Sequence, residues 1–555
     1  MNRINAIIGL LLIAAVGFAQ PSWTKKATKS VFTLKTFDAA GTLLASSNGF
    51  FTGTEGEAVS SFSPFRGAYK AVVIDSQGKE LAVLCMLGAN DTYDVAKFRV
   101  DARKTTPLVI ASTNATEEQP LWLLPYHETK NILQGRVKKA EVFNGHDAYY
   151  TLTLTMPDNA SGCPILNEQG EVVGLAQQPA RQKDTLTYAV SARYADSLHI
   201  SGLSLNDAAL RSTHIKKDLP AELSQAQLTM FMAASALDSL SYAQLVDDFI
   251  AKFPEAPDGY TYRAQLLGSA RRFDDAARSM EQAIKVADKK DEAHFNYAKL
   301  IYQKEIYMAD TPYEGWSLDK ALEEAREAER INPQAVYRHQ QAAILYAQKK
   351  YDDAYERYTT IFNSELRSPD LFYEASRCKL QQADTTAVLA LLDSCVSMFN
   401  KPYLREAAPY IYARGQARMD AGRFRDATAD FIEYERVMPN DVDDRFYYMR
   451  FRAEVGGRQF QQALNDIEEA IRRSPKSDLY LSEKASLLVR VGHYDDAMET
   501  ARECIKIAPE HSDGYLFLGL AQCLKGQKEE GIKNLRRAKE LGDDQADNLI
   551  NQYGK

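Results

Sequence analysis

Two periods divide the chain. From about Ser30 to Ala192, apolar and β-branched residues come in short runs: SVFTLKTFD, AVVIDSQ, KELAVLCML, VAKFRVD, LWLLPY, RVKKAEVF, YYTLTLTM, VVGLAQQ and LTYAVSA. Turn residues such as Ala39-Ala40-Gly41, Ser76-Gln77-Gly78 and Glu168-Gln169-Gly170 separate them. Many short strands at this spacing predict an all-β sandwich or barrel. After about Ser201, apolar residues recur at three- and four-residue steps, which predicts helices to the end of the chain.

The helical half also repeats on a longer scale. RRFDDAARSMEQAIKVA, KKYDDAYERYTTIF, GRFRDATADFIEYERVMP, RQFQQALNDIEEAIRRSP and GHYDDAMETARECIKIAP share an aromatic, two polar residues and an alanine. Those alanines are Ala276, Ala321, Ala354, Ala387, Ala427, Ala463 and Ala497, most of them separated by about 34 residues. A second small residue recurs at Ala264, Ala298, Ala342, Ala375, Gly415, Ala485 and Gly519, and a proline at Pro333, Pro439, Pro475 and Pro509. Small residues let crossing helices approach, and proline ends a helix because it lacks an N–H. This half resembles the tetratricopeptide repeat family, with eight repeats from Pro257 to Leu541 and a degenerate one before them. An insertion, IYMADTPYEGW, reads as a loop projecting from the second repeat. DDQADNLINQYGK reads as a polar capping helix.

The resemblance implies a superhelical solenoid whose groove is lined by fixed first-helix positions. These include His339, Tyr346, Tyr412, Gln416, Arg445, Tyr448 and Arg452. Tyr and Arg are frequent hot-spot residues, so a protein or peptide partner is expected there, against the alternative of an ordinary solvated face. The carboxylate clamp of chaperone-binding repeats is not matched: Asn296 falls on one of its positions, but Thr261, Gln265, Val336 and Gln340 occupy others.

The β half resembles the trypsin-like fold in its HtrA-type version. NASGCP, Asn159 to Pro164, occupies the nucleophile motif and places Ser161 at the nucleophile position. DVAKFRV places Asp94 at the family's aspartate. GFFTGTEGEAVSSFSPFRGA covers the histidine region, and the histidine position falls on Ser63. Asn159 stands at the oxyanion-loop glycine, Ala160 at the residue that orients that loop, and Cys163 at a close-packed glycine. A serine hydroxyl needs a base to become a nucleophile, and loss of the histidine from a working triad costs on the order of 10⁶ in kcat. His127 and His146 are the other histidines of this half. The strand after His146 carries it roughly 25 Å from Ser161 at about 3.3 Å per residue, whereas the position of His127 is left open.

The fold expected is therefore multidomain: an all-β trypsin-like double β-barrel, then an all-α tetratricopeptide solenoid. The boundaries expected are a signal peptide at 1–19, the trypsin-like domain at 20–200, a linker at 201–222, the solenoid at 223–543 and a capping helix at 544–555. The leader MNRINAIIGLLLIAAVGFAQ has a basic start, an apolar run and small residues before Gln20, and implies export to the periplasm or beyond. The chain of 555 residues carries 67 basic and 75 acidic residues for a net charge of −8, which argues against nucleic acid. No later segment reads as a transmembrane helix. The spacings of the six cysteines fit no zinc site, no cofactor is expected, and Cys378/Cys395 and Cys504/Cys523 fall where packed helices could bring them together. Three functional readings follow: an exported interaction scaffold with an inactive protease module, an unconventional serine endopeptidase using Ser161 and Asp94, or a subunit of a bacterial envelope or outer-membrane assembly.

Overall fold

The computed structural model describes residues 21–126, 132–178 and 186–554. The leader and His127 lie outside the described residues. The chain separates into two compact units, residues 1–286 and 287–555.

The first unit contains two closed six-stranded antiparallel barrels. The first is built from β1 (Val31–Phe37), β2 (Leu43–Phe51), β3 (Glu57–Ser60), β4 (Lys70–Ile74), β5 (Glu80–Asn90) and β6 (Val95–Val100), in the order β1-β2-β3-β6-β5-β4. The second uses β7 (Pro120–Leu123), β8 (Leu133–Phe143), β9 (Asp147–Leu152), β10 (Pro164–Leu166), β11 (Val172–Ala176) and β12 (Thr187–Ser191). Among the described residues, closure leaves neither barrel an edge strand to pair with another chain. Phe32, Phe62, Phe65 and Phe98 fill the first barrel, and Tyr150, Leu121 and Ile165 the second.

Residues 201–222 do not form a linker. They contain a 3₁₀ turn at Ser204–Asn206 and a short helix at Ala208–Arg211. Ala209, Leu210 and Ile215 join the core of the first barrel. The backbone pairs with β5, the Met86 N–H donating to Lys216 O at 2.7 Å and the Asp218 N–H to Met86 O at 2.9 Å. The segment contributes apolar residues at the positions that face the barrel, so it could not remain solvated without exposing them. It also engages the first helix pair, α1 (Leu223–Ala236) and α2 (Ser239–Lys252): Lys216 bonds Asp248 and Lys252 bonds Asp218.

Eight further helix pairs follow: α3/α4 (Pro257–Ser269, Phe273–Val286), α5/α6 (Lys290–Tyr307, Leu318–Ile331), α7/α8 (Ala335–Ala347, Tyr351–Thr359), α9/α10 (Pro369–Gln381, Thr385–Ser397), α11/α12 (Ala408–Asp420, Phe424–Val437), α13/α14 (Asp444–Gly456, Phe460–Arg473), α15/α16 (Asp478–Val491, Tyr494–Ile507) and α17/α18 (Ser512–Leu524, Lys528–Glu540). The first helices α3, α9 and α11 begin with Pro at N1 or N2, and Ser or Asp caps α6, α9, α10, α13 and α15. The recurrent small residues lie at the crossings. A side chain on Gly415 would come within 2.7 Å of the Phe431 ring.

Within the second unit an aspartate near the start of one first helix binds the next repeat. Tyr337 donates to Asp291 at 2.8 Å, Tyr410 to Asp370 at 2.6 Å and Tyr480 to Asp444 at 2.9 Å, while His511 pairs with Asp478. The insertion after α5 is not wholly a projecting loop, because Trp316 is buried and donates to the Tyr297 hydroxyl. The last helix, α19 (Ala546–Tyr553), is amphipathic: Ala546 is buried, and Leu549, Ile550 and Tyr553 lie partly buried beside Leu535. All six cysteines are free and buried. Cys395 and Cys504 donate to the first-helix carbonyls of Pro369 and Asp478.

Phe431→Ala removes a fully buried ring from the α11/α12 crossing. It is expected to cost about 3–5 kcal/mol, seen as a lower urea midpoint for the helical signal.

Candidate functional site

The loop Asn159 to Cys163 turns sharply between β9 and β10. Asn159 has φ of +67° and Gly162 φ of +80°. Asn tolerates this region better than most residues. At Gly162 space is also limiting, since a Cβ would lie 2.0 Å from Asn48 O. The Gly162 N–H donates to Ala176 O at 2.8 Å, and the Cys163 N–H to Ala160 O at 3.2 Å. Ala160 and Cys163 are buried in the second barrel. Burial pushes the Cys163 thiol up to about 12, so it is no latent nucleophile.

The first barrel grips this loop through β2. Ser161 O accepts from the Asn48 N–H at 3.0 Å, the Asn48 side-chain amide at 3.2 Å and the Ser47 hydroxyl at 3.1 Å. The Asn48 amide also donates to Asn159 O. These two residues were missed in the sequence. The available signal was a polar pair inside a strand that continues as Gly-Phe-Phe, and both are buried.

Among the described residues, no base joins Ser161 to Asp94. The Ser161 hydroxyl lies 3.4 Å from that of Ser61, a second group missed in the sequence. Asp94 is instead occupied by Ser63: the Ser63 N–H donates to Asp94 Oδ1 at 2.6 Å and its hydroxyl to Oδ2 at 3.2 Å. The Phe62 N–H reaches Asp94 O at 3.3 Å. The carboxylate thus holds the start of the 3₁₀ turn Ser63–Phe65. Hydroxyl groups do not accept a proton near neutrality as imidazole does. His146 is mostly exposed and faces Asp147, at 3.4 Å. Tyr149, its hydroxyl donating to Gln177, is held above its ordinary range by burial, with smaller contributions from Tyr188 and Asp94.

A pocket of about 620 Å³ lies beside the loop, lined by Ser46, Ser47, Asn48, Asp158, Asn159 and Ala160 among others. Among the described residues no group of three or more His, Cys, Asp or Glu is placed to hold a metal.

The seven candidate groove residues divide into two sets. His339 pairs with Glu374 at 2.6 Å, and Arg377 lies over the Tyr346 ring. Tyr412 packs on Phe431 and Tyr434, and Tyr448 donates to Glu483 and packs on Phe451 and Tyr480. All four are half-buried, and each reaches the next repeat, Tyr412 through its hydroxyl on Met449 Sδ at 3.6 Å. Gln416, Arg445 and Arg452 are exposed.

Comparison with known proteins matches residues 45–175 to the trypsin-like peptidase domain and 261–336 to the tetratricopeptide repeat. Residues 447–525 match the model for anaphase-promoting complex subunit 5. Small glutamine-rich tetratricopeptide repeat-containing protein 2 of Saccharomyces cerevisiae is 27% identical over 92 residues, 17% of this chain and 27% of that protein. The Hsp70-Hsp90 organizing protein of Triticum aestivum is 23% identical over 242 residues, 41% of this chain and 39% of its own length. The chain therefore spans well under half the length of these curated relatives. Among solved structures, the serine endoprotease from Yersinia pestis is 15% identical with a TM-score of 0.29, covering 35% of this chain and 68% of that one. A protease from M. tuberculosis in its active form is 17% identical with a TM-score of 0.27, covering 32% and 82%. The chain carries a trypsin-like peptidase domain and tetratricopeptide repeats.

Gly162→Ala is expected to loosen the barrels, whereas Gly78→Ala, at a similar φ of +79° but with open space around it, adds only backbone strain. Limited proteolysis between residues 21 and 200 is the check: Gly162→Ala is cut faster than wild type, and Gly78→Ala much less so.

Proposed function

We propose that this protein is an exported interaction scaffold whose trypsin-like domain does not cleave peptide bonds. The observation that carries this reading is the pairing of Asp94 with Ser63. The carboxylate that would orient a histidine bonds a serine backbone and hydroxyl instead. Among the described residues no base stands between it and Ser161, whose hydroxyl neighbour is Ser61. The repeats supply the binding function, since such arrays commonly present a protein-binding face. Exposed Arg445 and Arg452, with Gln416 whose amide also reaches Met449 Sδ, are the residues of that face placed to meet a protein or peptide. The leader supports export to the periplasm, where the two modules would serve a bacterial envelope assembly. No helix among the described residues is long and apolar enough to cross a membrane.

Purified mature protein, shown to be folded, is expected to remain unlabelled by a fluorophosphonate probe, as is Ser161→Ala. Labelling of wild type that disappears in Ser161→Ala would overturn the reading and establish an activated serine. Arg445→Ala with Arg452→Ala is expected to weaken capture of the partner by at least tenfold, since each is placed as an interface arginine.

A further inference from the structure

Three residues after the recurrent small position, the first helices normally bury an apolar or uncharged side chain. Ile301, Leu345, Cys378 and Leu488 follow Ala298, Ala342, Ala375 and Ala485 in this way, and all are buried. Two consecutive repeats break the pattern. Arg414, Arg418 and Asp430 of α11 and α12 recur thirty-six residues later as Arg450, Glu454 and Asp466 of α13 and α14. The lattice is conserved between them, but one charge is inverted.

The first set balances. Asp430 accepts from Arg414 at 2.7 Å and Arg418 at 2.8 Å, and both guanidinium groups also reach Asp393 at 3.1 Å. Two cations face two anions. The second set does not balance. Arg450 holds Asp466 through Nε at 2.6 Å and Nη2 at 2.7 Å, and Glu435 of α12 through Nη1 at 2.6 Å. Glu454 Oε1 stands 4.0 Å from Arg450 Nε, and its side chain is 3% exposed. Its Oε2 is buried with no donor among the described residues. One cation therefore faces three carboxylates.

Of the flanking cations, Arg473 acts on the Glu435 side of the cluster. Arg473 of α14 bonds Glu469 and Val442 O and lies over Tyr447. Tyr447 donates to Glu435. Lys484 of α15 bonds Glu468. Burial, opposed by the hydrogen bonds from Tyr447 and Arg450, leaves Glu435 below its ordinary range, so Glu435 stays charged. A further carboxylate as deeply buried as Glu454 beside that one guanidinium is disfavoured as an anion.

We propose that α13 is a proton-gated element: Glu454 carries a proton that it donates to Asp466, and release of that proton loosens α13 from α12 and α14. Burial, and then the charge of Asp466, raise Glu454 to about 8. The sign follows from linkage. The folded carboxyl keeps its proton up to about pH 8, while the unfolded one loses it near its ordinary value. The stabilisation is complete at low pH and is lost as pH rises through that window. None of the eight histidines lies in α11–α14, so no imidazole titrates within these helices over the same range. Because Arg445, Tyr448 and Arg452 all lie on α13, the gate would set the order of a helix on the candidate binding face.

Hydrogen exchange of the full chain, followed by mass spectrometry of peptides from 444–473 and corrected for intrinsic rates, tests this. The opening constant in wild type is expected to rise by up to about tenfold per pH unit between about pH 5 and 8, then level off. Glu454→Gln, which keeps the shape without the charge, is expected to flatten that slope. Should Glu454→Gln fold poorly, Glu454→Arg, which reproduces the α11 arrangement, is expected to flatten it in the same way. A flat wild-type profile, or the same slope in wild type and either folded variant, would overturn the proposal.

Discussion

The carbonyl oxygen of Ser161 fastens one barrel to the other. Three donors from β2 converge on it, and a fourth contact from Asn48 reaches Asn159 two residues away. The loop can approach β2 this closely only because residue 162 has no side chain. That constraint fixes the backbone shape of the loop around Ser161 independently of its side-chain chemistry. The backbone of this loop bears the contact between barrels. The side chains that would complete a catalytic set bear none of it.

Asp94 illustrates the same division. Its carboxylate has two acceptor oxygens whatever stands opposite. With serine at position 63, they bond a backbone N–H and a hydroxyl and hold a short 3₁₀ turn. A charged acceptor bonded to neutral donors contributes about 1.5–3 kcal/mol per bond in stability terms. Asp94 thus has a local folding role that does not depend on an imidazole.

Much of the architecture was legible in the sequence, for reasons that differ between the halves. The helix pairs announce themselves because each crossing demands a small residue, and the demand recurs with every repeat. Nine strands could be read from β-branched runs, whereas β2, β3 and β10 carry Gly, Ser, Asn and Pro and are visible only through the resemblance to the trypsin-like fold. At the site, Ser161, Asp94 and Ser63 were placed by motif. Ser47, Asn48 and Ser61 were not, because their importance arises from strand register across barrels and leaves no local spacing. The groove positions were predicted by register as a set, but register does not tell a partner-facing tyrosine from one that ties two repeats together. The segment 201–222 was misjudged as a linker because its apolar residues are spaced irregularly, as a strap laid along β5 requires.

That strap bears on how such a chain could have been assembled. Ala209, Leu210 and Ile215 belong to the first barrel's core, while Lys216 and Asp218 bind the first helix pair. A recombination breakpoint within 201–222 would leave one fragment with an open core and the other without its ionic anchors. The first barrel and the first helix pair thus hold together as one unit, and a change in the number of repeats would disturb the barrel less farther along the array.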